Sequence, residues 1–352
     1  MVFTEFYKGL RAADRAFELG NTGDKAIDLS SYSVIIYKSG LVSSPYEIKL
    51  TGILEPKETY VVAYSKANDD IKPKASQLDD ELPNVGSYPM VISDGSYYYD
   101  ALGTIGYNTT WCGDVDLVRK NEYMTGREKS EAYDWIGYDN GDLDRLGVLS
   151  CPMSEEELLK GPRITSPFTS YPFFQEGSTT LGGGGFIDVT VYSYVDGDTT
   201  KFYYPDEVHS AGYRDGTSVR YENIDTPEIY HGGASPADPW GDAAKIFTNT
   251  KLQAAKRIRL QSLPGVSITE TYGRLLLYVW ASEESEGDES FYLLNHTIVV
   301  NGFSNVAFSG DTSSKMLYEG ISYYQFMIDA ENKAAKEGLR IHGQRDPDYN
   351  YD

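Results

Sequence analysis

Cysteine occurs only twice in the chain, at Cys112 and Cys151, and neither sits in a Cys-x-x-Cys or Cys-x-x-His spacing. A structural zinc site is therefore excluded, and the pair leaves open one disulfide or two unrelated buried thiols. Histidine is as scarce. His209, His231, His296 and His342 show no His-x-His or His-Glu-x-x-His spacing, which removes a histidine-based metal hydrolase, and no Gly-x-Ser-x-Gly elbow marks a serine hydrolase. No apolar run approaches the roughly 18 residues of a membrane helix. The opening Met1-Val2-Phe3-Thr4-Glu5 has neither a basic nor an apolar signal region. Because it runs directly into a strand-like segment, the expectation is a secreted or cell-surface form whose export signal has been removed. Positive charge is also short: 31 Lys+Arg face 53 Asp+Glu, a net charge of -22. Such a chain repels nucleic acid as a whole, so any phosphate chemistry must come from a local cluster of arginine and metal ion.

What is present points to a mostly β protein of two domains. The 352 residues exceed one ordinary core at roughly 150 residues per domain. With 34 Gly, 15 Pro and 30 Tyr among many short apolar runs, strands outnumber helices. Ala16-Phe17-Glu18-Leu19, Tyr32 to Tyr37, Tyr60 to Tyr64 and Met90-Val91-Ile92 recur with the spacing of a β-sandwich. Asp134-Trp135-Ile136-Gly137 reads as a later strand with Trp135 in the core. A capping-box start at Ser154 predicts a short helix through Lys160. Thr179-Thr180-Leu181 followed by Gly182 to Gly185 has flexible-linker composition. The expected domains are 1–160, a linker or last strand over 161–185, and 186–352.

The second half alternates through Phe186 to Tyr192, turns at Asp196-Gly197 and returns through Thr200 to Tyr204. Ser218 to Ile224 reads as one further strand. A helix follows Trp240 with Asp242 as its cap, strands follow at Arg257–Leu260 and Leu275–Trp280, and a last helix runs from Phe326 to Lys336. A barrel of strands with a helix inserted after the third is an OB-type arrangement.

Two phrasings go further. Phe17-Glu18-Leu19-Gly20-Asn21-Thr22-Gly23, Ala26 to Tyr32 and Leu50-Thr51-Gly52-Ile53-Leu54-Glu55-Pro56 resemble the lamin-tail domain over about residues 2 to 140. That resemblance implies an immunoglobulin-like sandwich that contacts a surface or a protein partner. Val195-Asp196-Gly197-Asp198-Thr199, Arg220, Ile224-Asp225-Thr226-Pro227-Glu228, Tyr272-Gly273-Arg274, Asn301-Gly302-Phe303 and Ala330 to Lys336 stand in an order and spacing that resemble the staphylococcal nuclease (thermonuclease) family over 186–345.

The nuclease resemblance implies a calcium site of Asp198, Asp225 and the Thr226 carbonyl, hard oxygen donors for a hard cation, with Asp196 behind them. It implies Glu228 as the general base and Arg220 and Arg274 as clamps on the scissile phosphate. Tyr272 and Phe308 would contact substrate, which would be DNA, RNA or both, cut internally to leave 3'-phosphate ends. Phe308 and Gly310 stand where the founding member has two stacking tyrosines, and Thr271 stands for a lysine, so base stacking and local positive charge are weaker. Thr297-Ile298-Val299-Val300 is β-branched and strand-like by propensity, whereas the resemblance places it on a helix stopped by Asn301-Gly302. The rival class is a nuclease-like barrel kept as a binding or adaptor module. The presence of Asp198, Arg220, Asp225, Glu228 and Arg274 together argues against it.

Overall fold

The computed structural model describes every residue except 41, 44, 84–85, 109, 114, 165–167, 230–236, 308–315 and 352. The chain divides into two compact units, Met1–Glu155 and Glu156–Asp352. Among the described residues no helix is long and apolar enough to cross a membrane.

The first unit is a β-sandwich. One six-stranded sheet runs in the order Trp135–Asp139, Val115–Arg119, Val2–Lys8, Arg15–Gly20, Thr59–Tyr64, Gln77–Asp79. A four-stranded sheet runs Tyr98–Leu102, Met90–Ser93, Ser33–Tyr37, Pro45–Lys49. Phe3, Phe17, Leu19, Val34, Ile36, Val62, Ile92 and Trp135 belong to one shared core. Cys112 and Cys151 are buried free thiols, which resolves the disulfide alternative.

A bulge shapes the other face of the larger sheet. The register between the first two strands shifts between Phe3 and Glu5, which re-aims side chains as an extra residue does in a β-bulge. Phe3 and Phe6 therefore join the shared core, while Tyr7 packs in a separate cluster with Ala16, Val61, Ala63 and Leu146. Glu5, Glu18 and Asp116 are buried as well. Glu18 accepts from the Thr4 hydroxyl at 2.6 Å and the Gly147 amide at 2.6 Å. Burial raises Glu18 and Asp116 to about 7, and Glu5 well above its ordinary range. Carboxyls raised in the folded state hold protons that the unfolded chain releases, so their contribution to stability is full below about pH 4 and is lost as pH rises through about 7. Hydrogen-exchange protection of Val2–Lys8 and Val115–Arg119, corrected for intrinsic rates, should fall between pH 5 and 8, and Glu18→Gln should flatten that slope. Protection that rises with pH would contradict this assignment.

The second unit is a closed five-stranded barrel. Its strands are Phe186–Tyr194, Thr199–Tyr203, Ser218–Tyr221, Arg257–Gln261 and Leu275–Ser282. They pair in the order third, second, first, fourth, fifth, and the fifth returns to run parallel to the third through Val219↔Leu275 and Tyr221↔Leu277. Closure removes the free edges. Alternate strand residues Ile187, Val189, Phe202, Val219, Leu260, Leu277 and Val279 fill the core beside Ala244 and Leu252 of the helix Gly241–Ala254.

Three sequence expectations need correction. The described residues of 161–185 are not a linker, since Ile164, Phe168 and Phe173 are buried in the barrel's own core cluster. The glycine run is there for close approach. Gly183 and Gly185 donate to the Phe173 and Pro172 carbonyls at 2.8 and 3.1 Å, and a Cβ at Gly182, Gly183 or Gly185 would collide with the carbonyl oxygens of Leu263, Pro172 and Tyr171. A fragment beginning at Glu156 should thus fold cooperatively, and one beginning at Gly184 should lose several degrees or more in its thermal midpoint because Phe168 and Phe173 are missing. Equal midpoints by circular dichroism would show that the segment contributes no packing. The second correction concerns 218–224, which is broken. Asn223 takes φ 62, and Ile224–Asp225 leaves the barrel to pair with Asn305–Val306. The third concerns Asp242, which lies in the first turn of a helix whose N-cap is Trp240 at φ 70.

The segment Thr297 to Val300 is helical, within Leu294–Val300. Tertiary contacts override its β propensity: Ile298 and Val299 are fully buried. The Asn295 amide ties the helix to the barrel by accepting from the Val279 amide at 2.9 Å and donating to the Glu222 carbonyl at 2.8 Å.

Candidate active site

The hairpin between the first two barrel strands delivers Asp196 and Asp198. Its turn is closed by Asp196 N–H donating to the Thr199 carbonyl at 3.0 Å and by Gly197 N–H donating to Asp196 Oδ1 at 2.7 Å. Gly197 has to be glycine, because a Cβ there would lie 2.7 Å from Thr226 Oγ1 and 3.0 Å from the Ala244 Cβ. Asp198, buried, accepts three hydrogen bonds: the Thr199 hydroxyl on Oδ1 at 3.0 Å, and the Thr226 amide and hydroxyl on Oδ2 at 2.8 and 3.0 Å. The turn at Asn223 brings Thr226 there.

Arg220 joins the pieces. It lies on the third strand, paired with Thr199 on one side and Leu276 on the other, and its guanidinium makes ion pairs with both Asp198 and Asp225. Asp198 is buried, whereas Asp225 is half exposed, with its backbone N–H held by Ser304 Oγ at 2.9 Å. Burial lowers the Arg220 pKa from its usual value, a shift that Asp225 opposes and nearby Arg274 reinforces.

Glu228 is exposed at the rim. Its backbone is held to Asp238, the Asp238 N–H donating to the Glu228 carbonyl at 2.8 Å. Although the residue is exposed overall, its carboxyl is pushed above the ordinary range by partial burial first, then by a hydrogen bond and the charge of Asp196, with Asp225 adding and Arg220 opposing. Asp225, Thr226 and Glu228 line a cleft of about 410 Å³, together with Trp240, Gln344 and Tyr351.

Six of the expected residues thus gather at one end of the barrel: Asp196, Asp198, Arg220, Asp225, Thr226 and Glu228. Arg274 is close enough to act on Arg220 electrostatically, but its Nε donates to Glu270 at 2.9 Å. Tyr272 is 84 % exposed on the turn before it, and Phe308 lies outside the described residues. Sequence reasoning did not identify Thr248, whose buried hydroxyl donates to the Gly197 carbonyl at 2.6 Å, nor Ser304. The structure also makes Glu270 the ion-pair partner of Arg274. Single hydroxyls and one glutamate carry no sequence signal apart from the fold that places them.

The barrel and its carboxylate–guanidinium cluster define an OB-fold protein with a site at the strand ends. Residues 218–341 match the family model described as staphylococcal nuclease homologue, and the chain carries a domain of that family. The matched span starts at the third strand, so Asp196 and Asp198 lie outside it; Thr226 and Arg220 join Asp198 to it, and Asp196 is joined through Glu228. The chain is also 32% identical over 156 residues to the SPbeta prophage-derived endonuclease YokF of Bacillus subtilis (strain 168). That similarity covers 44% of this chain and 44% of the relative, so the chain spans less than half of that protein's length.

Proposed function

We propose that the second unit is a nuclease that hydrolyses phosphodiester bonds of DNA, RNA or both, cutting internally to leave 3'-phosphate ends. The observation that carries this reading is Arg220 bridging Asp198 and Asp225 at a cleft that Asp225, Thr226 and Glu228 line together.

Calcium is the cation that this donor set fits. The charges of Asp196 and Asp225 help to hold the Glu228 carboxyl above its ordinary range, with Arg220 opposing them, and the donors are carboxylates and a carbonyl, all hard oxygens. Among the described residues no three His, Cys, Asp or Glu side chains form a cation cage. Asp198, Asp225 and the Thr226 carbonyl would hold the ion, which when bound neutralises phosphate charge. Glu228 orients the attacking water and takes its proton as the oxygen bonds to phosphorus. The bond from phosphorus to the 5'-oxygen breaks, and that oxygen takes a proton from solvent. Arg220, fixed by its two carboxylates, and Arg274, once it exchanges Glu270 for phosphate, offset the charge that develops on the non-bridging oxygens. Plasmid DNA and RNA should be degraded with calcium and spared when magnesium replaces it, because magnesium requires a tighter octahedron. Robust activity in a chelator would overturn the cofactor assignment.

We read the first unit as an accessory sandwich of lamin-tail type that contacts a surface or a protein partner, in a secreted or cell-surface protein. The phrases around Phe17 to Gly23 and Leu50 to Pro56 support this.

A further inference from the structure

The segment after the last helix folds back to the cleft that holds Asp225 and Glu228. The buried Asp346 anchors it: Oδ2 accepts the Trp240 N–H at 2.6 Å, and Oδ1 accepts the Asp348 N–H at 3.0 Å. The Trp240 indole donates to the Gln344 carbonyl at 3.0 Å. Trp240 sits at φ 70, a left-handed conformation rare for a bulky residue, and these bonds from the returning segment hold it there.

The same segment sets Tyr351 in the cleft. The Asp346 N–H donates to the Tyr351 hydroxyl at 2.9 Å, and Arg345 lies 4.3 Å from the ring centroid. Tyr349 meets it edge-on at 4.8 Å. The ring is thus tethered through its hydroxyl, yet Tyr351 is 42 % exposed and lines the cleft with Asp225, Thr226 and Glu228. A tethered, exposed aromatic ring with a guanidinium over one of its faces suits the π-face of a nucleobase, since stacking is tolerant of sequence and arginine adds a cation–π contribution. Arg345 also supplies positive charge in a chain that repels phosphate overall.

We propose that Tyr351, supported by Arg345, is a substrate-binding residue on which a base near the scissile bond stacks. The proposal rests on the nuclease reading for its ligand class. It is tested by binding as well as by turnover, so that the two can fail separately. In a Glu228→Gln background, the Kd for a single-stranded oligodeoxynucleotide with calcium should rise about tenfold on Tyr351→Ala. It should stay within twofold on Tyr351→Phe, which keeps the ring and loses the hydroxyl's bond to Asp346. In the otherwise native chain, Tyr351→Ala should raise KM about tenfold with kcat within twofold. An unchanged Kd in the alanine variant overturns the proposal. So does an equal loss in the phenylalanine variant, which would assign the effect to the tether. Should the native chain bind but fail to cleave, the alanine and phenylalanine Kd values still decide the stacking role, and only the enzyme reading falls.

Discussion

Glu228→Gln is expected to lower kcat by about 10²-fold or more, the usual cost of losing a positioned general base. Thermal stability should be held or slightly raised. The side chain is exposed, glutamine has nearly the same shape, and the change removes one of the mutually repelling carboxyls whose partners are Asp196 and Asp225. Steady-state rates in calcium together with a calorimetric scan would show the separation. A variant that stays near the native rate would mean that another group takes the proton, and the role given to Glu228 would be wrong.

Arg220→Ala should be damaging in a different way, lowering activity and stability together. Asp198 is buried and pairs with this guanidinium, so removing the cation leaves a buried carboxylate uncompensated, at a cost of about 3–5 kcal/mol. Loss of a transition-state charge partner costs a further ~10²-fold or more in kcat. Arg220→Lys should recover little, because one ammonium cannot span two carboxylates as a planar fork does. Adding Asp198→Asn to Arg220→Ala should restore part of the stability and none of the activity, a non-additive cycle expected of groups in direct contact. Additive denaturation free energies would show that the pair is not coupled.

The legible part of this site was the contiguous part. Asp196-Gly197-Asp198 is a hairpin tip, Ile224 to Glu228 is a single run, and the order of both along the chain matched a family pattern. Alternating strands such as Phe186–Tyr194 were readable because one face is buried and the other is wet. Gly182 to Gly185 misled because a glycine run has the same composition whether it serves flexibility or close backbone contact, and only the carbonyls of Tyr171 and Pro172 decide between them. The break at Asn223 was hidden for a related reason: Ser218 to Ile224 is apolar enough for one strand, and asparagine's tolerance of positive φ is a permission, not a signal. Thr297 to Val300 is helical against its propensity, and resemblance foresaw this where local physics did not. The return of Asp346 and Tyr351 to the cleft depends on contacts more than 100 positions apart in sequence.

All of the chemistry is assigned to the unit Glu156–Asp352, and the most direct measurement compares plasmid cleavage by that fragment with cleavage by the whole chain, each with and without Glu228→Gln. The fragment should fold and, with calcium, cleave at a rate within a few-fold of the whole chain, and both Glu228→Gln forms should fall by about 10²-fold or more. A fragment that is folded by circular dichroism and inactive where the whole chain cleaves would contradict the account.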